Sequence, residues 1–344
     1  MKPVWWLLIG LVIFLIRFQT SLQATENLDR YTDKPISING KISSQINLQG
    51  SNQSFNVGRV RVRTNLYPAY EYGDRLVISG TLQRQVINPW YSRFSLIYPG
   101  IKRVTAGNNI FIGFKNKLAV WYTRVLPEPE AGLLAGIVLG SKRGLPQDFW
   151  QALQKTGTLH IVVASGYNVT VVMGAVVFLF AGILPRLWAM VLAMIAVGAY
   201  SIMAGLEPAI VRAAIMGTLA YFGQALGKPR DGVRLLAAAA GAMLLINPLF
   251  LFDVGFQLSV MATLGILLVC PRLPRLPQGV GESLAAQLFV WPILLYNFGR
   301  MSLFGILVNS LIAPLVPYVM ILGFLPWLAY VPLHLIVVII NRFG

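Results

Sequence analysis

Arg212 is the residue whose surroundings in the sequence most clearly indicate chemistry. It lies within an apolar stretch, residues 208–226, and follows Glu207 by five positions. An ionisable side chain in a membrane span is costly and therefore marks a structural tie or a functional site. As a structural group, Arg212 would reach the membrane surface or pair with Glu207. As a functional group, it would be a fixed cation beside a water-filled path for an anion.

Three apolar segments, residues 155–172, 252–260 and 291–317, carry polar side chains of several kinds. Taken one at a time, such residues often serve as hydrogen-bonding contacts between helices. Taken together, they predict a hydrated interior built around broken helices. Besides Arg212, the side chains that we expect to line this interior are Lys155, His160, Ser165, Asn168, Asp253, Gln257 and Ser259.

The same residues give little support to an enzyme. His160 and Ser165 are five positions apart on one segment, whereas neighbouring side chains on a helix are three or four apart. The chain has two histidines and one cysteine, Cys270, without the spacing of a metal-binding motif. The Gly-x-x-x-x-Gly-Lys-Ser/Thr loop of nucleotide-hydrolysing proteins is absent from the sequence. The sequence therefore predicts a protein that is not an enzyme and that has no catalytic residue, metal or cofactor.

The composition indicates what kind of protein positions these groups. Of the 344 residues, 56% are hydrophobic and 12% are charged, whereas soluble domains carry about 25% charged residues. We therefore expect an α-helical polytopic membrane protein. The 28 Lys and Arg residues exceed the 12 Asp and Glu residues, which gives a net charge of +16. Such an excess predicts an anionic partner, either nucleic acid or lipid head groups.

Apolar runs predict about eight or nine membrane spans in total. Residues 1–19 contain a short apolar run, 4–16, which we interpret as an N-terminal membrane anchor rather than a cleaved signal peptide. Residues 111–158 contain amphipathic and short apolar pieces that suit the membrane interface or a re-entrant position. Residues 159–344 are expected to form the polytopic channel domain. Its spans are predicted at 159–183, 187–206, 207–226, 233–252, 254–270, 281–298, 303–318 and 319–340.

The loops between these spans differ in charge. The loops after the first, third and fifth spans carry six cations, and the loops after the second and fourth carry none. Because cytoplasmic loops are rich in Lys and Arg, this alternation places residues 20–158 outside the cytosol. The six cations are Arg186, Lys228, Arg230, Arg234, Arg272 and Arg275.

Residues 20–110 differ from the rest of the chain because polar and apolar residues alternate in them. This alternation in residues 36–43, 60–64 and 75–86 predicts β-strands. A segment of this length with four or five short strands suits a small β-barrel of the OB type. The segment holds 11 Lys and Arg residues and 5 Asp and Glu residues. We therefore expect a basic, OB-like domain outside the cytosol.

Within this domain, three arginines alternate with two valines. Arg59, Arg61 and Arg63 would lie on one face of a strand, and Val60 and Val62 on the other. The arginine face is either an ordinary solvated sheet surface or a stripe that binds the phosphates of a single nucleic-acid strand. The residues alone leave both interpretations open.

Four blocks of sequence, in order along the chain, resemble the ComEC family of DNA-uptake channels, the inner-membrane step of natural transformation. The first block ends in a Ser-Gly pair, the second holds Arg212, and the third contains Gly-Phe-Gln-Leu-Ser. Residues 20–110 fit the amino-terminal OB-like domain of that family. The four blocks are GLLAGIVLGSKRGLPQDFWQALQKTGTLHIVVASGYNV (132–169), EPAIVRAAIMG (207–217), INPLFLFDVGFQLSVMATLGI (246–266) and FGRMSLFGILVNSLIAPLVP (298–317).

The resemblance implies a function and a set of partners. A single DNA strand would pass through the inner (cytoplasmic) membrane of a bacterial cell, and Arg212 would offer each phosphate a transient contact. The implied partners are single-stranded DNA, membrane lipid, a DNA receptor outside the cytosol and a cytosolic ATP-driven motor. The motor is needed because the sequence shows no nucleotide-binding loop of its own.

The sequence departs from the family in two places. Many members have a histidine where this chain has Asn168. Many members also continue into a metallo-β-lactamase-like domain, which these residues do not contain, so we expect either a separate nuclease to degrade the second strand or the duplex to be opened elsewhere. Two other functions stay open: secondary transport of a small anionic or lipid-linked substrate, and a scaffold that tethers DNA without conducting it.

Overall fold

The computed structural model describes most of the chain, and it divides into two compact units. One unit comprises Met1–Gly113 together with Gly241–Asp253, and the other comprises Phe114–Ala240 together with Val254–Gly344. Lys228 and Arg230 of the predicted cytoplasmic loops lie outside the described residues. The structure describes residues 2–44, 46–49, 52–88, 91–105, 107, 110–141, 144–162, 165–225, 227, 231–299, 302 and 304–344.

The first unit contains a helix and a small sheet. The helix, α1, runs from Lys2 to Asp29 and so extends beyond the predicted anchor. The strands lie in the order β1-β5-β6-β4-β3-β2, with β7 paired to β5. All pairs are antiparallel except β4 with β6, and a bridge between Ile42 and Val57 joins the end of β1 to β3. The strands are β1 (Pro35–Lys41), β2 (Asn47–Gln49), β3 (Asn52–Val57), β4 (Val60–Asn65), β5 (Arg75–Asn88), β6 (Tyr91–Ile97) and β7 (Gly100–Thr105).

The sheet has one apolar core, as the alternation of residues predicts. Val60 and Val62 on β4 are buried, and the arginines between and beside them are not. The predicted strands at 36–43, 60–64 and 75–86 are confirmed as β1, β4 and β5. The other buried residues of this core include Phe55, Val57, Leu76, Ile78, Leu82, Phe94 and Leu96.

The second unit is helical. Within the described residues, five helical segments are long and apolar enough to cross a membrane: Arg186–Met203, Val254–Arg272, Gly279–Phe298, Gly305–Leu322 and Pro326–Phe343. Residues 110–113 of α2 and residues 241–246 of α9 are counted with the first unit. The helices that follow α1 along the chain are α2 (Ile110–Val125), α3 (Glu130–Leu139), α4 (Gln147–Lys155), α5 (Leu159–Val162), α6 (Gly166–Phe180), α7 (Arg186–Met203), α8 (Pro208–Ala225), α9 (Gly232–Ile246), α10 (Val254–Val269), α11 (Gln278–Phe298), α12 (Gly305–Ile312), α13 (Val316–Leu322) and α14 (Pro326–Phe343).

Two details of this unit differ from a simple row of spans. The predicted span at 159–183 contains two helices, the short α5 and the longer α6, which begins at Gly166. All ten residues of α3 are buried, and this helix packs against α13 and α14. A helix that is apolar on every side is expected in a protein interior, so α3 is a core element of the helical unit.

Candidate functional site

Arg212 is a buried cation held by neutral groups. Its residue surface is 8% exposed. One guanidinium nitrogen, Nη1, donates to the backbone oxygen of Ser259 and to the hydroxyl of Thr263, both on α10. Within the described part of the chain, Nε has no hydrogen-bond acceptor and no carboxylate forms an ion pair with Arg212. Carbonyl and hydroxyl dipoles offset part of a buried charge, so the site stays electropositive.

The first turn of α6 lies against this guanidinium. A Cβ placed on Gly166 would be 2.9 Å from Nη2 of Arg212, so the glycine permits a close approach. The Ser165 side chain does not cap α6 but donates to Oδ1 of Asn168 at 3.1 Å. The first N–H groups of a helix carry a partial positive charge. Two positive features therefore lie side by side, which favours the binding of an anion.

Asn168 serves this site by holding α6 in place. Its side chain is buried, and Nδ2 donates to the backbone oxygen of Ile137 on α3 at 2.9 Å and to the hydroxyl of Tyr200 on α7 at 3.3 Å. Its Oδ1 accepts the Ser165 hydroxyl. Because the amide both donates and accepts here, it ties together three helices whose residues are far apart in sequence.

The remaining predicted residues of the interior make contacts of other kinds. Lys155 Nζ is exposed and donates to the backbone oxygen of Gly344 at 3.1 Å. His160 is exposed, and its Nδ1 lies 3.1 Å from the backbone oxygen of Gly157. Asp253 belongs to the first unit, whereas Gln257 lies in the first turn of α10 in the second. The hydroxyl of Ser259 is buried, and no partner for it occurs among the described residues.

The arginines of the sheet are arranged differently. Arg59 precedes β4 and donates to the backbone oxygen of Ser21 on α1 at 3.0 Å. Arg61 and Arg63 project from β4, and Arg61 donates to the hydroxyl of Ser54 at 3.2 Å. Burial lowers the pKa of Arg61, and the neighbouring cations Arg93 and Arg63 lower it further. Arg61, Arg63 and Arg93 therefore repel one another, and a bound anion would relieve that repulsion.

The structure also supplies a pair that the sequence did not reveal. Nδ1 of His334 on α14 lies 2.8 Å from a carboxylate oxygen of Glu130 on α3. The Glu130 carboxyl group is buried, and the ring of Tyr330 stacks on the imidazole. The two residues are 204 positions apart, so no local pattern could have paired them. The only signal in the sequence was that Glu128 and Glu130 directly precede an apolar run.

Comparison with known proteins bears on the helical unit. A family model described as "Competence protein" matches residues 137–344. ComE operon protein 3 of Bacillus subtilis (strain 168) is 26% identical over 217 residues, which is 62% of this chain and 27% of that protein. An uncharacterized protein of Aquifex aeolicus (strain VF5) is 28% identical over 179 residues, which is 51% of this chain and 42% of that protein. In both cases, the chain spans less than half the length of the relative that it matches.

Proposed function

The chain belongs to the competence protein family, and on that premise we propose that it is an inner-membrane channel that imports single-stranded DNA during natural transformation. The observation that carries this proposal is the buried Arg212, which lies in the region that the family model matches. Among the described residues, all of its hydrogen-bond partners are neutral groups. A buried charge without a counter-ion is energetically costly, so we expect Arg212 to bind an anion transiently.

The geometry of the Arg212 site suits a phosphodiester that moves. The uncapped N-terminus of α6 and the free edge of the guanidinium attract one phosphate group. Nη1 is already occupied by Ser259 and Thr263, so the arginine cannot clamp a phosphate with all of its donors. Conduction requires a contact that is strong enough to admit each phosphate and weak enough to release it. A partly satisfied arginine meets both requirements.

We further propose that the sheet of the first unit is an OB-type barrel that collects DNA. The parallel pair β4–β6 and the bridge from Ile42 to Val57 support closure of the sheet through β1 and β3. Arg61, Arg63 and Arg93 would then contact backbone phosphates on its outer surface. Affinity supplied by cations that water can reach falls as the salt concentration rises.

The proposed arrangement in the cell follows from charge and from the family. We propose about eight to nine spans, with residues 20–110 outside the cytosol and the Arg and Lys loops inside. Transport would depend on a DNA receptor outside, a cytosolic ATP-driven motor and surrounding lipid. The channel would work as a passive conduit without an enzymatic step.

The decisive experiment follows labelled DNA into cells that carry the chain or its variants. Arg212→Gln should reduce the uptake of single-stranded DNA by about a hundredfold, since losing a buried charged contact costs about 3 kcal/mol. Arg234→Gln is the matched control, because Arg234 is an exposed cation of the same unit, paired with Asp231 at 2.9 Å. Normal uptake by an Arg212→Gln protein that inserts into the membrane would refute the assignment.

A further inference from the structure

One side of the sheet carries the three arginines and an exposed isoleucine. Arg61 and Arg63 alternate with the buried valines of β4, so their side chains point away from the apolar core. The parallel register sets Arg63 opposite Ile97 of β6, and residues paired in this way project to the same side of a sheet. Arg93 is four residues before Ile97 on β6 and projects the same way. We call this outward side of β3, β4 and β6 the arginine face.

Asn52 of β3 belongs to the arginine face as well. The antiparallel register places Ser54 opposite Arg63, and the Ser54 hydroxyl accepts a hydrogen bond from Arg61. Asn52 is two residues before Ser54, and side chains two apart on a strand share a face. Asn52 therefore lies on the arginine face, at the level of Asn65 at the end of β4.

Tyr98, the residue that follows β6, turns back over this face. A strand that continued beyond Ile97 would point residue 98 toward the apolar core, where Leu96 is buried. Tyr98 has instead a φ of 48°, a left-handed conformation that bulky residues rarely adopt. Its backbone N–H donates to the oxygen of Arg63 at 2.8 Å, and its hydroxyl donates to Oδ1 of Asn52 at 2.9 Å. The ring therefore crosses β4 on the arginine face.

The Tyr98 ring is both held in place and open to a ligand. Tyr98 is 54% exposed, and its neighbour Ile97 is 45% exposed. Two other aromatic residues of the sheet unit, Phe55 and Tyr70, are buried in its core and are closed to a ligand. The hydrogen bond to Asn52 restricts the ring before anything binds, so less conformational entropy is lost on binding. The arginine face thus presents an ordered aromatic ring and an apolar neighbour beside three cations.

From these observations, we propose that Tyr98 and Ile97 form a platform on which a base of a single DNA strand stacks, while the three arginines bind the neighbouring phosphates. A base of a single strand can turn its flat surface to an aromatic ring. In a duplex, the bases stack on one another and present only their edges in the grooves. The platform therefore selects single strands, which the arginines alone do not. The assignment of DNA as the ligand rests on the proposed function.

Binding of a labelled oligonucleotide to the full chain in detergent tests the platform. Tyr98→Leu removes the ring but keeps an apolar side chain, so it should weaken binding of the single strand about tenfold and leave binding of the duplex unchanged. The slope of log affinity against log salt should stay the same, because no charge is removed. Tyr98→Phe keeps the ring and should bind within about threefold of the unchanged protein.

Tyr31→Leu is the matched control for Tyr98→Leu. Tyr31 has the same exposed fraction, 54%, but lies in the turn after α1 and not on the arginine face. Tyr31→Leu should therefore bind the single strand as tightly as the unchanged protein does. Single-strand affinity that Tyr98→Leu leaves unchanged, or a loss of affinity that is equal for single strand and duplex, would overturn the platform.

An oligonucleotide with abasic sites tests stacking without any substitution in the protein. It keeps the phosphates and lacks the bases, so the unchanged protein should bind it about tenfold more weakly than the normal strand. Equal affinity for the two strands would overturn the platform. These measurements do not depend on transport. Normal uptake in Arg212→Gln cells would thus refute the proposed channel and leave the platform intact, whereas failure of the platform would leave the Arg212 site untouched.

Discussion

The two units hold their arginines in opposite ways. In the helical unit, Arg212 is one buried cation whose partners are a carbonyl and a hydroxyl oxygen. In the sheet unit, Arg61, Arg63 and Arg93 are close to one another, and water reaches them. Salt screens exposed charges beyond about 8–10 Å but reaches a buried one poorly. The first arrangement therefore suits passage of one phosphate at a time, and the second suits capture of a polyanion from solution.

The sharpest test of this contrast fills the space beside Arg212. Gly166→Ala would place a methyl group 2.9 Å from Nη2 of Arg212 and 3.1 Å from the Ala213 Cβ. We expect DNA uptake to fall at least about tenfold, equivalent to about 1.4 kcal/mol, because the guanidinium must move away from the N-terminus of α6. Transport of labelled single-stranded DNA measures the effect.

The control for this change is on the same helix. A Cβ on Gly174 would meet nothing within 4 Å, so Gly174→Ala should leave uptake unchanged. DNA binding to the sheet unit should be the same in both variants. Equal uptake by the Gly166→Ala and Gly174→Ala proteins would show that the close approach at Gly166 has no role in transport.

A smaller effect is expected from the sheet arginines. Replacing Arg61, Arg63 and Arg93 by Gln should weaken DNA binding and should reduce the slope of log affinity against log salt by about 2, since each phosphate contact contributes about 0.7 for a single strand. Binding of a labelled single strand by the full chain, measured over a range of salt concentrations, gives this slope.

Arg84 provides the matched cation on the same sheet. Its Nη1 forms an ion pair with Asp29 at 2.7 Å, so its charge is already neutralised. Arg84→Gln should leave the salt slope nearly unchanged. If Arg84→Gln reduced the slope as much as the triple substitution, net charge rather than the arginine cluster would govern capture.

The smallest effect concerns a carboxyl group at the start of the helical unit. Burial raises the pKa of Glu128, the Gly132 N–H opposes this, and Glu130 raises it further. A raised folded pKa stabilises the fold below the unfolded value of 4.5, and that stabilisation is lost as pH rises through the folded pKa. Glu128→Gln should therefore increase the free energy of unfolding at pH 7 by about 1 kcal/mol or less, because Glu128 is partly solvated.

This gain should vanish below pH 4.5, where Glu128 is protonated in both states. Thermal unfolding of the full chain at pH 4 and pH 7 measures it. Asp148→Asn, at an exposed position of α4, is the control. A gain that is the same at both pH values would show that the charge of Glu128 is not the cause.

Much of the fold was readable from the sequence because its pattern is local. Apolar runs predicted most helices of the second unit, and alternation predicted β1, β4 and β5. Strand β3 was not recognised because Gln53 and Ser54 are both buried, which breaks the alternation. The Gln53 amide is satisfied by the backbone oxygens of Asn65, Leu66 and Pro68. A polar core residue of this kind is acceptable only with partners that the sequence does not show.

The sequence likewise predicted some residues of the candidate site but not the contacts that they make. The sequence singled out Arg212, Ser165 and Asn168 because polar residues in apolar segments are conspicuous. It did not predict that Asn168 would bind Ile137 and Tyr200, or that Arg59 would contact α1 instead of lying on β4. These outcomes depend on how separate helices and strands pack.

By itself, then, the sequence determined where helices and strands form, how charge is distributed and which polar residues enter the apolar bundle. Those features depend on residues within a few positions of one another, through the periodicity of 3.6 or 2. The tertiary structure alone decided that Arg212 would meet Ser259 and the first turn of α6, and that Glu130 would pair with His334. Such contacts join residues tens to hundreds of positions apart, and only the packing of the whole unit brings them together.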